Sequence, residues 1–400
     1  MIIGTAAKML EMGYVCDHCL GRQFAKLMRG GTNVERGRII RDFMALEYES
    51  GELKAEPSNF HCHFHAKRNE TDNVKLRECV VCGNVFENLG KLSADALKKL
   101  EKMDFENFMI GVKMNDSLVM KEESLWEKMG IKHSEPIKTE INRELTNIIS
   151  SATGSKTEPN SPDVIIIIDL QKKQTEILSN PLFVYGNYKK FERGLPQTSS
   201  PLYKQTVQDI ISKPLVKQTS ASSNVLHALG REDKDARCLV WRPFVLELKH
   251  PLRRKVNLRK ISSEINKSEK VKVRSLRFSG RKEIIAIKSS KPYKVYMVIV
   301  EFEEPVEKID DAKKIVGVVR QMTPARILGR KEDRTKHKKV KSIKWKRINS
   351  KTYQFEITAE SGLYLHELVS GDSGRTRPSI AQLLVKKAKI REFDLIGFEE

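Results

Sequence analysis

A short charged segment, residues 230–237, has the residue types and spacing best suited to chemistry; it reads Gly-Arg-Glu-Asp-Lys-Asp-Ala-Arg. Arg231 and Arg237 flank two aspartates, Asp233 and Asp235, just before an apolar run that is typical of a strand. An aspartate beside fixed positive charge stays ionised and can be held in one orientation, which suits a nucleophile. A surface turn with ordinary ion pairs has the same composition. The pattern alone therefore leaves both interpretations and both aspartates open.

Two Cys-x-x-Cys pairs, Cys16 with Cys19 and Cys79 with Cys82, predict a metal site. In a chain without a visible secretory signal, two such pairs are typical of zinc held by four thiolates. Four thiolates leave no coordination position for water, so this zinc would be structural. Two redox dithiols are the alternative, but a thioredoxin-like β-α-β context is absent. A second metal site at 61–65, which reads His-Cys-His-Phe-His, is disfavoured because alternate side chains point to opposite faces.

Positive charge is concentrated in the second half of the chain. Residues 201–400 contain 45 Lys and Arg against 24 Asp and Glu, whereas residues 1–200 contain 28 of each. This asymmetry predicts a polyanionic partner. Nucleic acid is favoured over a membrane surface because no basic amphipathic helix with bulky apolar residues stands out. The segment 326–339 is too polar to bury and predicts a basic arm that reaches phosphates, with Lys336 and Lys338 among its contacts.

Several classes of protein are disfavoured by what the chain lacks. The longest aliphatic run, 164–168, is too short to cross a bilayer, and no secretory signal is visible. We therefore expect a cytoplasmic protein without a membrane partner. Neither a Walker loop nor a strand-linked Gly-x-Gly-x-x-Gly motif is present, so no nucleotide or redox cofactor is expected. Nothing in the pattern indicates an obligate protein partner.

The elements that must position these residues fall into three segments. Residues 1–95 combine the cysteine pairs with an amphipathic helix over 33–46, and a further helix is expected to begin near 92 with Ser93 as its cap. Residues 96–198 read β-α-α-β. The strands of this segment are expected at 105–114 and 163–170, and its helices near 122–129 and 135–150.

Residues 199–400 alternate apolar runs with charged turns, which predicts an α+β domain around a mixed or antiparallel sheet. Helices are expected near 257–267 and 377–387. The strand-like runs are 271–278, 283–288, 294–302, 352–358 and 393–398.

Several stretches, in order along the chain, match one family. One begins at Cys16 and reads Cys-Asp-His-Cys-Leu-Gly-Arg-Gln-Phe-Ala, and another begins at Arg193 and reads Arg-Gly-Leu-Pro-Gln-Thr. The charged segment at 230–237 follows. The last two are Gly-Leu-Tyr-Leu-His-Glu-Leu at 362–368 and Gly-Asp-Ser-Gly-Arg-Thr at 371–376. Taken together, they resemble the archaeal and eukaryotic Pus-ten family of tRNA pseudouridine synthases, over essentially the whole chain.

The resemblance implies an α+β protein built from a zinc-binding N-terminal module at 1–95, a THUMP-like α/β RNA-binding domain at 96–198 and a pseudouridine synthase domain at 199–400. The synthase domain would contain a mixed, mainly antiparallel sheet. The implied substrate is uridine in the TΨC arm of tRNA, with position 54 as the first implied target and position 55 as the second, and the sequence does not decide whether one or both are modified. The product is an isomer of the substrate, so no donor is needed. A non-catalytic RNA-binding protein and another THUMP-bearing modifier are the alternatives.

The resemblance also implies roles for single residues. Asp233 matches the family's catalytic aspartate, which makes Asp235 a structural partner of the neighbouring arginines. Tyr296 matches the active-site tyrosine, with Tyr293 as the alternative, and its ring would stack on the target base. The side chains expected to contact the substrate are Arg231, Arg237, Tyr364, His366, Arg375, Lys336 and Lys338.

Two residues depart from the family pattern. His366 stands where related synthases often carry Lys or Arg, and that cation pairs with the catalytic aspartate. A histidine is only partly charged near neutrality, so either Arg231 or Arg237 would supply the permanent charge, or His366 would make activity depend on pH. Trp241 replaces the family's usual glycine before Arg-Pro-Phe, which predicts a change in the local turn.

Overall fold

The computed structural model describes residues 2–60, 64, 77–199 and 201–399. The chain divides into two compact units, Met1–Asn180 and Pro181–Glu400. Apart from Phe64, the His- and Cys-rich stretch at 61–65 lies outside the described residues. Among the helices of the described part, none is long and apolar enough to span a membrane.

The first unit packs helices on a small sheet. The sheet order is β2-β1-β3-β4; β1 is parallel to β2 and β3, and β4 is antiparallel to β3. The helices are α1 Ile2–Glu11, α2 Asp17–Arg22, α3 Asn33–Glu49, α4 Val85–Leu100, α5 Asp116–Met129 and α6 Ile137–Thr153. The strands are β1 Asn107–Lys113, β2 Lys156–Thr157, β3 Val164–Asp169 and β4 Gln174–Ser179.

The β-α-α-β reading of this unit is confirmed in β1, α5, α6 and β3. The aliphatic run in β3 alternates between buried and partly buried side chains, with Val164, Ile166 and Ile168 fully buried. These side chains share one core with Ile141 and Leu145 of α6. Burial of each such side chain contributes about 1.5–3 kcal/mol, so the core fixes which face of the strand the helices cover.

Two glycines allow α2 to lie directly on α3. A methyl group on Gly21 would collide with the carbonyl oxygen of Asn33, and one on Gly37 would collide with that of Asp17. Any larger residue would therefore push the two helices apart. Because Cys19 lies in α2, this close crossing also fixes the position of one predicted metal ligand.

The expected start of a helix near residue 92 is wrong. Helix α4 begins at Val85, immediately after the second cysteine pair, and Ser93 is fully buried inside it rather than capping it. The reason is that Leu89 already belongs to the buried face that continues through Leu92 and Ala96. The helix runs across residue 95, the expected end of the first segment.

The second unit contains the remaining elements. Its helices are α7 Val207–Thr219, α8 Leu258–Ile265, α9 Arg281–Ser289, α10 Leu365–Ser370 and α11 Ile380–Leu384. Its strands are β5 Leu182–Lys190, β6 Ser223–Ala228, β7 Arg237–Lys249, β8 Val271–Ser279, β9 Tyr293–Phe302, β10 Gly317–Met322, β11 Thr335–Arg347, β12 Thr352–Ala359, β13 Thr376–Arg377 and β14 Ala388–Glu399.

These strands form one large sheet in the order β13-β10-β11-β12-β9-β14-β7-β5-β8, with β6 also paired to β7. Strand β14 runs parallel to β7, and the other pairs recorded in this sheet are antiparallel. The predicted fold class, α+β with a mixed and mainly antiparallel sheet, is confirmed.

The residues of strand β5 fall within the expected second segment, 96–198. The strand lies instead inside the large sheet, between β7 and β8, with Tyr188 opposite Arg242 of β7. Val184 and Tyr188 are fully buried in the core of this unit. The observed division after Asn180 therefore precedes the expected boundary, because β5 makes its hydrogen bonds with the strands that follow it.

Three local expectations in the second unit differ from the structure. The run 283–288 forms helix α9 instead of a strand, because Ile284 and Ile287 lie on one helical face and pack on Val245. Only the last part of the expected basic arm, residues 335–339, is strand, since β11 begins at Thr335. Trp241 lies within strand β7, not at a turn.

Candidate active site and metal centre

The connection between β6 and β7, residues 229–236, carries Asp233; we call it the aspartate loop. Strand β7 pairs with β14 at its start and with β6 near its end, so this loop lies beside the middle of β7. Arg242, fully buried in that middle part, donates hydrogen bonds to the carbonyl oxygens of Leu229 at 2.7 Å and Gly230 at 2.8 Å. The Arg242 side chain thus donates hydrogen bonds to loop carbonyl groups that backbone N–H groups of a paired strand would otherwise bind.

A buried network of ion pairs around Glu232 also holds the aspartate loop. Both partners of Glu232 are fully buried: Arg242 donates to its carboxylate at 3.0 Å, and Lys190 Nζ lies 3.6 Å from it. Lys190 also donates to the carbonyl oxygens of Asp233 at 3.2 Å and Lys234 at 3.0 Å. Burial lowers the pKa of Lys190. Buried charges are tolerated only when they are paired, so the network defines the loop conformation.

Sequence reasoning missed these residues as parts of the site. The available signal was the presence of Lys190 and Arg242 inside otherwise apolar strand patterns, since a charged residue at a core position requires a partner. Glu232 lay inside the charged segment but was given no role.

Asp233 itself is half-buried, and its Oδ1 accepts a hydrogen bond from the backbone N–H of Asp235 at 3.1 Å. Arg237 does not pair with it, because both ends of the Arg237 guanidinium bind the carboxylate of Asp394, at 3.0 and 2.6 Å. Within the described residues, the exposed Arg231 side chain makes no hydrogen bond or ion pair. Neither flanking arginine is therefore held against the aspartate.

Tyr296, on β9, lies close enough to feel the charge of Asp233. Burial raises the pKa of Tyr296 to about 12; the positive charge of Arg242 opposes the rise and the negative charge of Asp233 adds to it. The phenol is thus a neutral hydrogen-bond donor near neutral pH. Tyr293, the alternative, begins the same strand, and Lys341 Nζ lies 5.2 Å from its ring centre.

The start of α10 is held by a buried glutamine. Gln321 donates to the carbonyl oxygen of Tyr364 at 2.9 Å and accepts from its N–H at 2.8 Å. Lys336 Nζ lies 5.2 Å from the Tyr364 ring centre, which is a cation–π contact. The His366 ring packs edge-on against Phe393, with 5.2 Å between ring centres. The structure thus brings three of the expected substrate-contacting residues to one region.

Arg375, another of the expected substrate contacts, fastens a loop. Its guanidinium donates to the carbonyl oxygen of Thr323, at 3.1 and 3.0 Å, and to the carboxylate of Asp333 at 2.5 Å. These two partners lie near opposite ends of the connection between β10 and β11, residues 323–334, which we call the arginine loop. Arg375 therefore closes this loop across its base.

The arginine loop carries Arg326, which begins the segment 326–339 that was expected to form a basic arm. Arg326 Nε donates to the carboxylate of Glu367 in α10 at 2.8 Å, and the Glu367 side chain is only 5% exposed. The pKa of Arg326 is raised by this hydrogen bond first, and by the charges of Glu367 and Asp233. Arg326 is therefore a permanent cation within electrostatic reach of Asp233.

The basic residues of β11 divide between the two faces of the sheet. Lys336 of β11 is paired with the buried Gln321 of β10, whose side chain binds Tyr364. Lys336 and Lys338 therefore lie on the same face of the sheet as Tyr364, because alternate side chains of a strand share a face. Lys339 points to the opposite face. Lys338 is paired with Glu360 at 2.5 Å. The two faces provide an internal comparison for RNA-binding tests.

The buried Lys294 makes the stability of the second unit depend on pH. Its side chain is buried, and this burial, followed by the charge of Arg242, lowers the pKa of Lys294 to about 8. The unfolded chain keeps that proton up to about pH 10.4. The contribution of this pKa difference to the free energy of unfolding is thus fully present above about pH 10.4 and is lost as the pH falls through about 8.

We therefore expect the unfolding free energy of the wild type, relative to Lys294→Met, to rise by up to about 1.4 kcal/mol per pH unit between about pH 8 and 10. Urea unfolding at several pH values measures it. The exposed Lys339→Met is the matched control and should run parallel to the wild type. A Lys294→Met curve parallel to the wild type would contradict the prediction.

The two cysteine pairs meet in the first unit. The Sγ atoms of Cys16, Cys19, Cys79 and Cys82 all lie within 4.8 Å of one another, and those of Cys16 and Cys82 are 3.6 Å apart. Thiolates bound tetrahedrally at about 2.3 Å would be about 3.8 Å apart. The Asn84 side chain accepts the N–H of Cys79 at 2.8 Å and fixes the second turn. The four sulfur atoms could therefore hold one metal ion.

Comparisons with known proteins agree with this architecture. Two family models match the chain: "Pus10, C-terminal" over residues 183–399 and "Pus10 THUMP domain, archaeal" over residues 92–169. A relative from Pyrococcus furiosus, tRNA pseudouridine synthase Pus10, is 36% identical and covers 99% of this chain and 97% of its own. Its namesake from Methanothrix thermoacetophila is 35% identical, covering 99% and 94%.

A solved structure of a Cbf5-Nop10-Gar1 complex matches 53% of this chain and 48% of its own, at 16% identity and a TM-score of 0.33. This likeness is too low to carry an argument about the site. The first family model alone covers more than half of the chain, and the relatives match nearly all of it. The chain belongs to the Pus10 family.

Proposed function

We propose that the protein is a tRNA pseudouridine synthase in which Asp233 is the nucleophile. The observation that carries this proposal is the aspartate loop, which a buried network of Glu232, Lys190 and Arg242 holds in one conformation. Tyr296 lies within electrostatic reach of the carboxylate that the loop presents. Membership of a family whose members are named tRNA pseudouridine synthases supplies the reaction.

The reaction needs only groups that the chain and its substrate supply. The target uridine leaves its stack, the Asp233 carboxylate attacks it, and the glycosidic carbon–nitrogen bond breaks with its electron pair going to the base. The base then rotates and rejoins the sugar through carbon five, and the bond to Asp233 breaks with its electron pair returning to the carboxylate. The proton on carbon five is lost and the freed nitrogen gains one, so the product is an isomer and no cofactor is consumed.

Tyr296 has two roles in this proposal. Its ring stacks on the target base, which is worth about 1–3 kcal/mol for a base on an aromatic side chain. Its hydroxyl remains protonated near neutral pH, because its pKa is raised to about 12, and it relays the proton that leaves carbon five. Tyr293 is less well placed because its ring contacts Lys341.

The proposed substrate is uridine in the TΨC arm of tRNA, at position 54 and also at position 55, without an obligate protein partner. Support comes from the positive charge of residues 201–400 and from the match to an archaeal THUMP family model. We also propose that the four cysteines hold a structural zinc ion, because a set of four thiolates suits zinc and leaves no open position for catalysis.

One assay tests the activity and its location. Purified protein is incubated with an unmodified tRNA transcript without added cofactor, and pseudouridine is mapped by chemical derivatisation and primer extension. Transcripts with cytidine at position 54 or 55 separate the two sites. Tight binding without pseudouridine would favour a non-catalytic RNA-binding protein. Modification that requires an added methyl or sulfur donor would favour another THUMP-bearing modifier.

The basic strand β11 gives a prediction about RNA binding. Replacing both Lys336 and Lys338 by Ala should weaken tRNA binding and reduce the slope of log affinity against log salt by about 1–2, since each phosphate contact contributes about 0.9. Lys339→Ala, on the opposite face, is the matched control and should change the slope less. Binding measured across a salt titration decides this, and a larger effect of Lys339→Ala would place the RNA on the other face.

A further inference from the structure

We propose that a patch of aromatic and basic side chains binds phosphates of the tRNA on the face of the large sheet opposite the candidate active site. This inference rests on the proposed function, which supplies tRNA as the substrate, and it gives that RNA a second contact away from the chemistry. We call the surface the tryptophan patch; it consists of Tyr185 and Lys189 of β5, Trp241 of β7, and Arg274 and Arg277 of β8.

The tryptophan patch and the aspartate loop lie on opposite faces of strand β7. Arg242 points to the face of the loop, since it donates a hydrogen bond to the carboxylate of Glu232. Trp241 immediately precedes Arg242, and neighbouring side chains of a strand point to opposite faces. The cores of this unit show the same alternation, because Phe244 packs with α7 and α8 whereas Val245 packs with α9.

Two cations from different strands lie against the Trp241 ring. Lys189 Nζ is 5.0 Å from the ring centre and the guanidinium carbon of Arg274 is 4.5 Å from it, so both make cation–π contacts. Lys189 stands in β5 between the fully buried Tyr188 and Lys190, so its side chain also points away from the aspartate loop. The ring thus holds two positive charges close together on the face opposite that loop.

A bulge in strand β8 directs both of its patch arginines to this face. Arg274 and Arg277 are three residues apart, so in a regular strand they would point to opposite faces. Their partners in β5, Asn187 and Tyr185, are only two residues apart, because the register shifts between these pairs. Ser275, within the shift, has a φ of 55°. The bulge re-aims one arginine, and the Arg277 guanidinium carbon lies 4.3 Å from the Tyr185 ring centre.

Most of the positive charge of the patch has no anionic partner. Within the described residues, Lys189 and Arg274 make no hydrogen bond or ion pair, and Arg274 is exposed. Arg277 is paired with Glu283, but residues 271–290 contain six Lys and Arg against this one acidic residue. A guanidinium stacked on a ring keeps the N–H donors at its edge, where a phosphate can accept two of them. Unpaired cations interleaved with aromatic rings are typical of a nucleic-acid contact.

The position of the patch indicates which part of the RNA it contacts. Strand β8 stands at one end of the strand order, so the patch lies beside an edge of the sheet. The target uridine must enter on the face of the aspartate loop, whereas Trp241 and Arg274 are on the other face. An RNA bound at both places has to pass around β8. The patch therefore contacts a part of the tRNA other than the arm that presents the uridine.

Binding of two RNAs across a salt titration tests this inference. One RNA is the full unmodified tRNA transcript, and the other is a hairpin that contains only its TΨC arm. The double variant Lys189→Gln with Arg274→Gln should bind the full transcript at least about 5-fold more weakly, and the slope of log affinity against log salt should fall by about 1–2. Its affinity for the hairpin should stay within about 2-fold of wild type, because no phosphate contact to that arm is lost.

Two further variants and a control make the test specific. Trp241→Gly removes the ring that holds the cations and should also weaken binding of the full transcript, whereas Trp241→Phe keeps an aromatic ring and should retain most of the affinity. Lys313→Gln is the matched control. Lys313 Nζ likewise lies 5.2 Å from the centre of the Trp345 ring, but it is already paired with Asp310. This control should bind both RNAs like wild type.

Two outcomes would overturn the inference. The double variant could bind the full transcript with an unchanged affinity and salt slope, or it could lose as much affinity for the hairpin, which would place the patch against the TΨC arm. Thermal unfolding of each variant separates a lost contact from a lost fold. Because the measurement is binding, a wild type that binds tRNA without forming pseudouridine would remove the proposed function and leave this inference standing.

Discussion

Asp233→Asn should abolish pseudouridine formation, with a loss of at least about 10³-fold in single-turnover rate, as expected when a covalent nucleophile is removed. Asparagine has nearly the same shape, and its side-chain oxygen can still accept the N–H of Asp235. The buried network around Glu232 does not involve the Asp233 side chain. The loop should therefore keep its conformation, and tRNA affinity should stay within about 3-fold, because only a transition-state interaction is lost.

Asp235→Asn is the matched control. Asp235 lies two residues further along the same loop, is exposed, and contributes its backbone groups to the turn. Its variant should retain activity within a few-fold. The assays are pseudouridine mapping, tRNA binding and thermal unfolding of both proteins. An active Asp233→Asn variant together with an inactive Asp235→Asn variant would transfer the nucleophile role to the second aspartate.

Removal of the metal should have the largest effect on stability. Four thiolates around one zinc ion supply on the order of 10 kcal/mol of folding free energy, which is comparable to the whole stability of a typical domain. Burial raises the pKa of the Cys19 thiol, so the thiolate needs a cation nearby to persist. Cys79→Ser, or prolonged chelation, should therefore unfold much of the first unit, with loss of its protection from proteolysis.

Cys238→Ser is the control for the metal prediction. Cys238 is a buried cysteine of the second unit and lies outside the group of four. Elemental analysis should find one zinc per chain in the wild type and in Cys238→Ser, and less in Cys79→Ser. A metal-free wild type, or one that is unaffected by chelation, would reject the structural zinc ion.

Much of the fold could be predicted because its signals are local. The aliphatic run in β3 and the periodic helices α5 and α6 gave the β-α-α-β order, and the cysteine spacing gave the group of four. Errors arose where one pattern fits two elements. The run ending at Lys288 is apolar enough for a strand, but Ile284 and Ile287 have helical spacing.

The arrangement of charges at the candidate site could not be predicted, because its pairs are distant in sequence. Arg237 is the last residue of the charged segment, yet its partner is Asp394, 157 residues later. Arg326 meets Glu367 across 41 residues. Sequence neighbours suggested that Arg231 and Arg237 face Asp233, whereas strand pairing and loop closure decide which charges meet.

The position of strand β5 has a practical consequence for dividing the protein. A fragment that begins at residue 199, after the expected boundary, would leave β7 and β8 with unpaired edges, because β5 normally lies between them. The same fragment would lack Lys190, which fastens the aspartate loop. The smallest piece of this chain that can be expressed for catalytic work should therefore begin at or before Pro181.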